Sequence, residues 1–400
     1  MENPEQVIRS FALQSAFAGG PVTEDKLVPK EFGRIKSPFI CTWREEQLST
    51  VLDWESRGFS FYLPESLRVV ASFYLKVTLP ALSGGAIYKR APGLYVIENL
   101  RFLSAGTEAY SVDPSLYLRD YIESLDDNHA AAFMSTYLGG MATTGDAREC
   151  LIPILLPNSA YGGRVGHDYH YGKGVWPCFT GQNRLEVQFT LNSANMLTND
   201  PQHVPASISG ACSIMIHQVN MKKENIPRYS DARGTYSIIN RRFTEITSGW
   251  TDAAAGTMKH VTQNQPIGTV TEIFCLAVPH KSTAMASTRD ILATVDPEHF
   301  EIVSDTVVQK RLDSLQKVQI EKWTNGFCEN TWSTVPARLC FAAHASESES
   351  VYSGGFNMAQ SGQIQINIKF PTHTDFRLFA VQLQRVELSE LGHLTASLQG

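Results

Sequence analysis

The sequence predicts an all-β protein of two similar sandwiches in tandem, with one short helix inserted in each, and three observations carry that prediction. Residues 362–370, "GQIQINIKF", alternate strictly. Ile364, Ile366, Ile368 and Phe370 fall on one side, and Gln363, Gln365, Asn367 and Lys369 on the other, the mark of a strand with one dry face. Residues 183–191, "NRLEVQFTL", repeat the pattern, with Leu185, Val187, Phe189 and Leu191 inward and Arg184, Glu186, Gln188 and Thr190 outward. The offset is 364 − 185 = 179 residues, close to half of the 400-residue chain. Finally, each half holds one helical stretch at the same place in its order of strands. A chain of this length suits two domains of about 200 residues, each able to bury a sandwich core unaided.

In chain order, residues 1–40 read as a short helix with a partial apolar stripe (Val7, Ile8, Phe11, Leu13), followed by a Gly- and Pro-bearing arm. Strands follow at 59–63, 67–79 and 93–103, rich in Val, Phe, Tyr and Leu and punctuated by Pro64, Pro80, Gly84-Gly85 and Pro92-Gly93. Asp113 then caps a helix that has Pro114 in its first turn and continues through "SLYLRDYIESL". The apolar run 149–157, a long loop over 158–182, the alternating strand 183–191 and a strand over 212–221 complete the first half.

The second half repeats this order. Strands are expected at 234–246, 268–278 and 299–303, then a helical segment over 306–323 that Asp305 caps, with Val308, Leu312, Leu315 and Ile320 near helical spacing. Residues 337–345 stand where 149–157 stood, 362–370 where 183–191 stood, and 376–388 where 212–221 stood, with Val381 set against Ile216. The expected division is an arm over 1–40, a first sandwich over 41–225 and a second over 226–400. A period this long excludes solenoids and propeller blades, which repeat every 20–50 residues or so.

Composition narrows the function. Charged residues are 18%, below the ~25% typical of soluble domains, and apolar residues are 43%. Low surface charge suits a protein whose flanks are covered by copies or partners. The net charge is −6 with no Lys/Arg run beyond two, so direct contact with nucleic acid is not expected. The seven cysteines (41, 150, 178, 212, 275, 328 and 340) are scattered without a C-x-x-C pair, and read as free thiols in a chain folded in a reducing compartment. The N-terminus lacks the basic-then-apolar order of a secretory leader, and no stretch approaches about 18 consecutive apolar residues, so a soluble chain made in the cytosol is expected.

Catalytic motifs are sparse. The densest polar cluster, "GGRVGHDYHYGKG", holds His167, Asp168 and His170, but H-x-x-H with no following acid is not the H-x-H plus Glu of a cupin metal site. It reads as a decorated surface loop. There is no G-x-S-x-G, P-loop or HExxH, and Cys178 has nothing nearby to lower its pKa. The glycine-bearing stretches "SGG" (353–355) and "SGQ" (361–363) punctuate a strand, Arg228, Tyr229, Arg241 and Arg242 read as a solvated basic patch, and His217 and His344 as core or interface histidines. No catalytic, metal or cofactor residue is assigned.

"ECLIPILLPNSAYGG" with "WPCFTGQNRLEVQFTL", then "YSGGFNMAQSGQIQINIKF" with "FRLFAVQLQRVEL", and the early "VVASFYLKVTLPAL" before "GLYVIENLRFLSAGTEAY", resemble successive strands of a known family. That family is the double jelly-roll major capsid proteins of tailless icosahedral DNA viruses, which includes tectivirus-type phages, adenovirus hexon and the large eukaryotic DNA viruses. The resemblance runs from about residue 40 to the end, though the loops are compact and a Pro-Phe-aromatic run in the first roll is missing. It implies two eight-stranded jelly rolls, a homotrimer forming a pseudo-hexameric capsomer, and a structural rather than enzymatic role in the virion. It implies as partners neighbouring capsomers, penton and minor capsid proteins, and an internal membrane reached by the N-terminal arm. Assembly would be in host cytoplasm or nucleus, with the loops at 158–182 and 248–266 as outer towers. Two other classes fit two sandwiches. One is a metal-dependent enzyme such as a bicupin, copper monooxygenase or N-glycanase. The other is a carbohydrate-binding spike using Tyr161, Tyr169, Tyr171 and Trp176.

Overall fold

The computed structural model describes residues 40–48, 54, 57–63, 69–104, 106–141, 143–154, 176–177, 185–205, 212–220, 235–263, 267–324, 330–341, 343–344, 352–353, 355–389 and 394–398. The expected N-terminal helix and the loop bearing His167, Asp168, His170 and Cys178 lie outside these residues, as do Arg228 and Tyr229.

Eight strands form the first sandwich: β1 (Ile40–Gln47), β2 (Gly58–Tyr62), β3 (Val69–Leu79), β4 (Ile97–Ser104), β5 (Thr107–Val112), β6 (Arg148–Pro153), β7 (Leu185–Leu191) and β8 (Cys212–Asn220). They pair antiparallel as β1-β8-β3-β6 and β2-β7-β4-β5. First pairs with last, second with seventh, third with sixth and fourth with fifth, which is one long antiparallel ribbon rolled into two sheets, a jelly roll. The second sandwich repeats it with β9 (Thr235–Glu245), β10 (Lys259–Gln263), β11 (Thr269–Pro279), β12 (His299–Ser304), β13 (Val307–Leu312), β14 (Ala337–Cys340), β15 (Ile364–Lys369) and β16 (Thr374–Ser389). Its sheets are β9-β16-β11-β14 and β10-β15-β12-β13. Short strands such as Trp176–Pro177 on β3 and Leu394–Leu398 on β16 extend the edges.

The two alternating segments are equivalent strands. Leu185 faces Ser104 and Ile364 faces Ser304, so β7 and β15 occupy one register, 179 residues apart, opposite strands 200 apart (304 − 104). Their inward residues are buried: Leu185, Val187, Phe189 and Leu191, and Ile364, Ile366, Ile368 and Phe370. Even the irregularities repeat. The β4–β5 ladder slips between Phe102 and Leu103, and the β12–β13 ladder between Ile302 and Val303. A second bulge lies between Val70 and Ser72 on β3, and between Val270 and Glu272 on β11. This second bulge corrects one expectation: Ser72 faces His217 and Glu272 faces Val381, so Val381 matches His217, not Ile216.

The helices also differ from expectation. The first roll carries two, α1 (Pro114–Ser124) and α2 (Asp127–Tyr137), each started by an aspartate side chain, Asp113 accepting from the Ser115 N–H and Asp126 from the His129 N–H. Among the described residues of the second roll the α-helix is α3 (Leu315–Thr324). The first third of the expected 306–323 helix is strand β13, which pairs with β12. Asp305 is no cap: it sits at φ 48° in the β12–β13 turn, where its carboxylate accepts from the N–H groups of Gly362 and Gln363. Residues 248–266 are likewise not one open loop, because Thr251–Ala253 and β10 within them pair with β16 and β15.

Candidate functional site: the seam between the sandwiches

β11, "TVTEIFCLAVP", shows why one sheet is special. Its alternate residues Ile273, Cys275 and Ala277 fill the core of the second roll, while Phe274 and Leu276 join the core cluster of the first. β16 does the same, with Phe376, Leu378 and Ala380 turned one way and Phe379 and Val381 the other. A sheet covered on both faces reads as a continuous apolar run rather than an alternation. The outer face of β9-β16-β11-β14 is therefore where the two rolls meet. Phe243 meets Phe274 edge-on with ring centroids 5.5 Å apart, and Phe274 stacks on Phe379 at 4.9 Å.

Helix α1 brings charge to this seam. Arg338 of β14, 2% exposed, donates to Glu272 Oε1 (2.9 Å), Asp120 Oδ1 (3.0 Å) and Glu123 Oε2 (3.1 Å), and lies 5.2 Å over the Phe274 ring. Arg119, also buried, pairs with Glu123 one helical turn on, and donates to the carbonyls of Ile291 and Thr334, both at 2.6 Å. Two guanidinium groups thus hold three carboxylates, two of them with almost no solvent access, and each donor needs its partner in place. Asn330 donates from Nδ2 to the Ile122 and Leu125 carbonyls, closing the C-terminal end of α1 from the other roll. Asp127 accepts from the Thr331 N–H and hydroxyl, and its carbonyl accepts from Trp332 Nε1.

The other end of the seam joins the β3–β4 and β11–β12 connections. Lys89 donates to the Ser287 and Arg289 carbonyls and lies 4.4 Å over the Tyr95 ring. Burial lowers its ammonium to about 7, against the opposing pull of Asp290. Arg90 pairs with Asp290 at 2.7 Å, whose other oxygen accepts from the Tyr95 hydroxyl at 3.1 Å. Burial and that carboxylate push the hydroxyl well above its ordinary range.

Of the histidines and cysteines that sequence singled out, His217 stacks on Trp43 at 4.6 Å on the outer face of the first roll. Cys150, Cys212, Cys275 and Cys340 are free thiols, and burial drives those of Cys150 and Cys212 up to about 12, far from nucleophilic use. One cluster was not anticipated. Asp252, His280 and His373 bring three potential ligand atoms within 4.8 Å of one another, with His373 Nε2 at 2.5 Å and His280 Nδ1 at 3.2 Å from Asp252 Oδ1. Yet the rings stack at 3.8 Å and 9°, and the in-plane lone pairs of parallel rings do not converge on one cation. His280 Nδ1 instead meets Asp375 at 2.9 Å, and Arg289 holds the same carboxylate, so the group clamps the β15–β16 turn onto the residues after β11. The convergent set in each roll that a bicupin needs is not found among the described residues.

No family model matches the chain, and no curated protein matches its sequence. Solved structures do match over nearly its whole length. VP54 of PBCV-1, as fitted into a reconstruction of the virophage Sputnik, aligns with TM-score 0.61 at 11% identity, covering 92% of this chain and 98% of that one. The mavirus major capsid protein aligns with TM-score 0.57 at 11% identity over 89% and 90%, and the Faustovirus major capsid protein with 0.57 at 9% over 95% and 97%. The fold is the double jelly roll that these major capsid proteins share.

Proposed function

We propose that the chain is a major capsid protein, the building block of an icosahedral virion shell. The observation that carries this is the seam: two jelly rolls share a packed apolar face and a buried charge network, a joint that suits a shell tile better than a loosely tethered binding module. In this reading three copies close into a pseudo-hexameric capsomer of six rolls, which abuts further capsomers, penton and minor capsid proteins. The N-terminal arm reaches a neighbour or an internal membrane, and the division of the chain falls near 40 and 225. The protein acts in the virion without cofactor or catalysis. Native mass spectrometry of the purified chain should give three times 44.4 kDa, and negative-stain images should show hexagonal rings. A monomer throughout the micromolar range defeats the proposal.

A further inference from the structure

The strand registers give the sheet residues of the filled seam counterparts in the first roll. Phe243 faces Val381 as Trp43 faces His217, so the buried face of Phe243, Phe274, Phe379 and Val381 has its double in Trp43, Tyr74, Met215 and His217. In the first roll that face is more accessible: Trp43 is 55% exposed and the other three are only partly buried. Helix α1 has its double in α3, offset by 200, with Leu118 and Val318 both fully buried at matching positions. Asp120 and Glu123, which reach Arg338, correspond to Ile320 and Trp323, which are 51% and 74% exposed.

The chemistry has changed on both doubles together. Where the filled helix offers two carboxylates, the free helix offers Ile and Trp. Where the filled sheet offers Arg338, which faces Phe274, the free sheet has Pro153, which faces Tyr74. Helix α2 borders that side, its Tyr137 stacked 5.8 Å from Tyr74, while Trp43 at the other side stays exposed. An apolar helix face and an aromatic sheet face, each stranded on one copy, complement one another as the acids and the arginine do within it.

We propose that Ile320 and Trp323 of one copy dock on the Trp43, Tyr74, Met215 and His217 face of the next, forming between chains an apolar version of the seam that is charged within the chain. The contact is head to tail, so repetition builds a ring where the rotation closes, rather than a twofold dimer. The inference rests on the capsid reading only for the number of copies.

The full-length chain with a photo-crosslinking amino acid at position 323 tests it directly, beside the variants Trp323→Glu, Trp43→Glu and, as a control on another exposed face, Tyr62→Gln. All three sites are exposed, so circular dichroism and melting of the isolated chain should hold. Irradiation should join residue 323 to peptides within 40–47 or 212–218 of another copy. Each Glu variant should drop the native mass to one copy, while Tyr62→Gln keeps the wild-type mass. A wild-type oligomer whose crosslinks fall elsewhere, or which both Glu variants leave intact, overturns this pairing and leaves the capsid reading standing. A monomeric wild type overturns both.

Discussion

Replacing Arg338 by Met is the sharpest perturbation of the seam. The side chain is 2% exposed, and its guanidinium donates to Asp120, Glu123 and Glu272, with Glu123 shared with Arg119. Met fills most of the volume, so cavity formation contributes little. What remains is one cation facing three carboxylates, two of them nearly devoid of solvent. Removing one partner from such a buried set costs about 3–5 kcal/mol, because the orphaned charge keeps its desolvation penalty. Urea unfolding of the full chain at pH 7 reads this as a lowered transition midpoint. Adding Glu123→Gln removes part of the excess negative charge, so the double variant should lose less than the sum of the singles by about 1–3 kcal/mol. A loss below about 1 kcal/mol that is additive with Glu123→Gln refutes the view of a charge-locked seam.

Three further outcomes are expected. Ile366→Asp places a charge at a fully buried position of β15 and should cost several kcal/mol by thermal or urea unfolding. Gln365→Asp, beside His260 and Asn367 on the other face, should cost about 1 kcal/mol or less, and equal losses would show the facing to be wrong. Asn330→Ala leaves the Ile122 and Leu125 carbonyls without their donor and should lower stability by about 1–2 kcal/mol, whereas a silent substitution means that water caps α1 equally well. Lys89 has its folded pKa lowered to about 7, against an ordinary 10.5, so the unfolded chain holds the extra proton between those values and stability rises with pH from about 7. The rise meets an opposing loss near pH 9, where the Cys150 and Cys212 thiols ionise only when unfolded. Unfolding free energies between pH 7 and 8.5 should climb for the wild type and stay level for Lys89→Met; parallel slopes would remove Lys89 as the cause.

What sequence could and could not reveal follows from which faces are dry. β7 and β15 alternate cleanly because one face of each is packed and the other is polar, and their equivalence was legible from a single offset. β5 and β13 were missed because, as edge strands with mostly exposed residues, "TEAYSV" and "VVQKRL" offer almost no alternation, and Val308, Leu312, Leu315 and Ile320 imitate a helical stripe across a strand and a helix. The second helix of the first roll had a signal, Asp126 ahead of an Ala-rich run, but it is short and weakly amphipathic. The seam was hidden for another reason: Glu123 and its partner Arg338 lie 215 residues apart, and nothing local in a charge says that it is buried. One indirect sign was present in the strands themselves. β3 alternates, with Phe73, Leu75, Val77 and Leu79 buried and Tyr74, Lys76 and Thr78 only partly so, whereas its double β11 is buried from Val270 through Val278. Two equivalent strands with different periodicity must differ in what covers their outer faces. The one that still alternates belongs to the roll whose outer face is only partly buried, with Trp43 beside Tyr74 upon it.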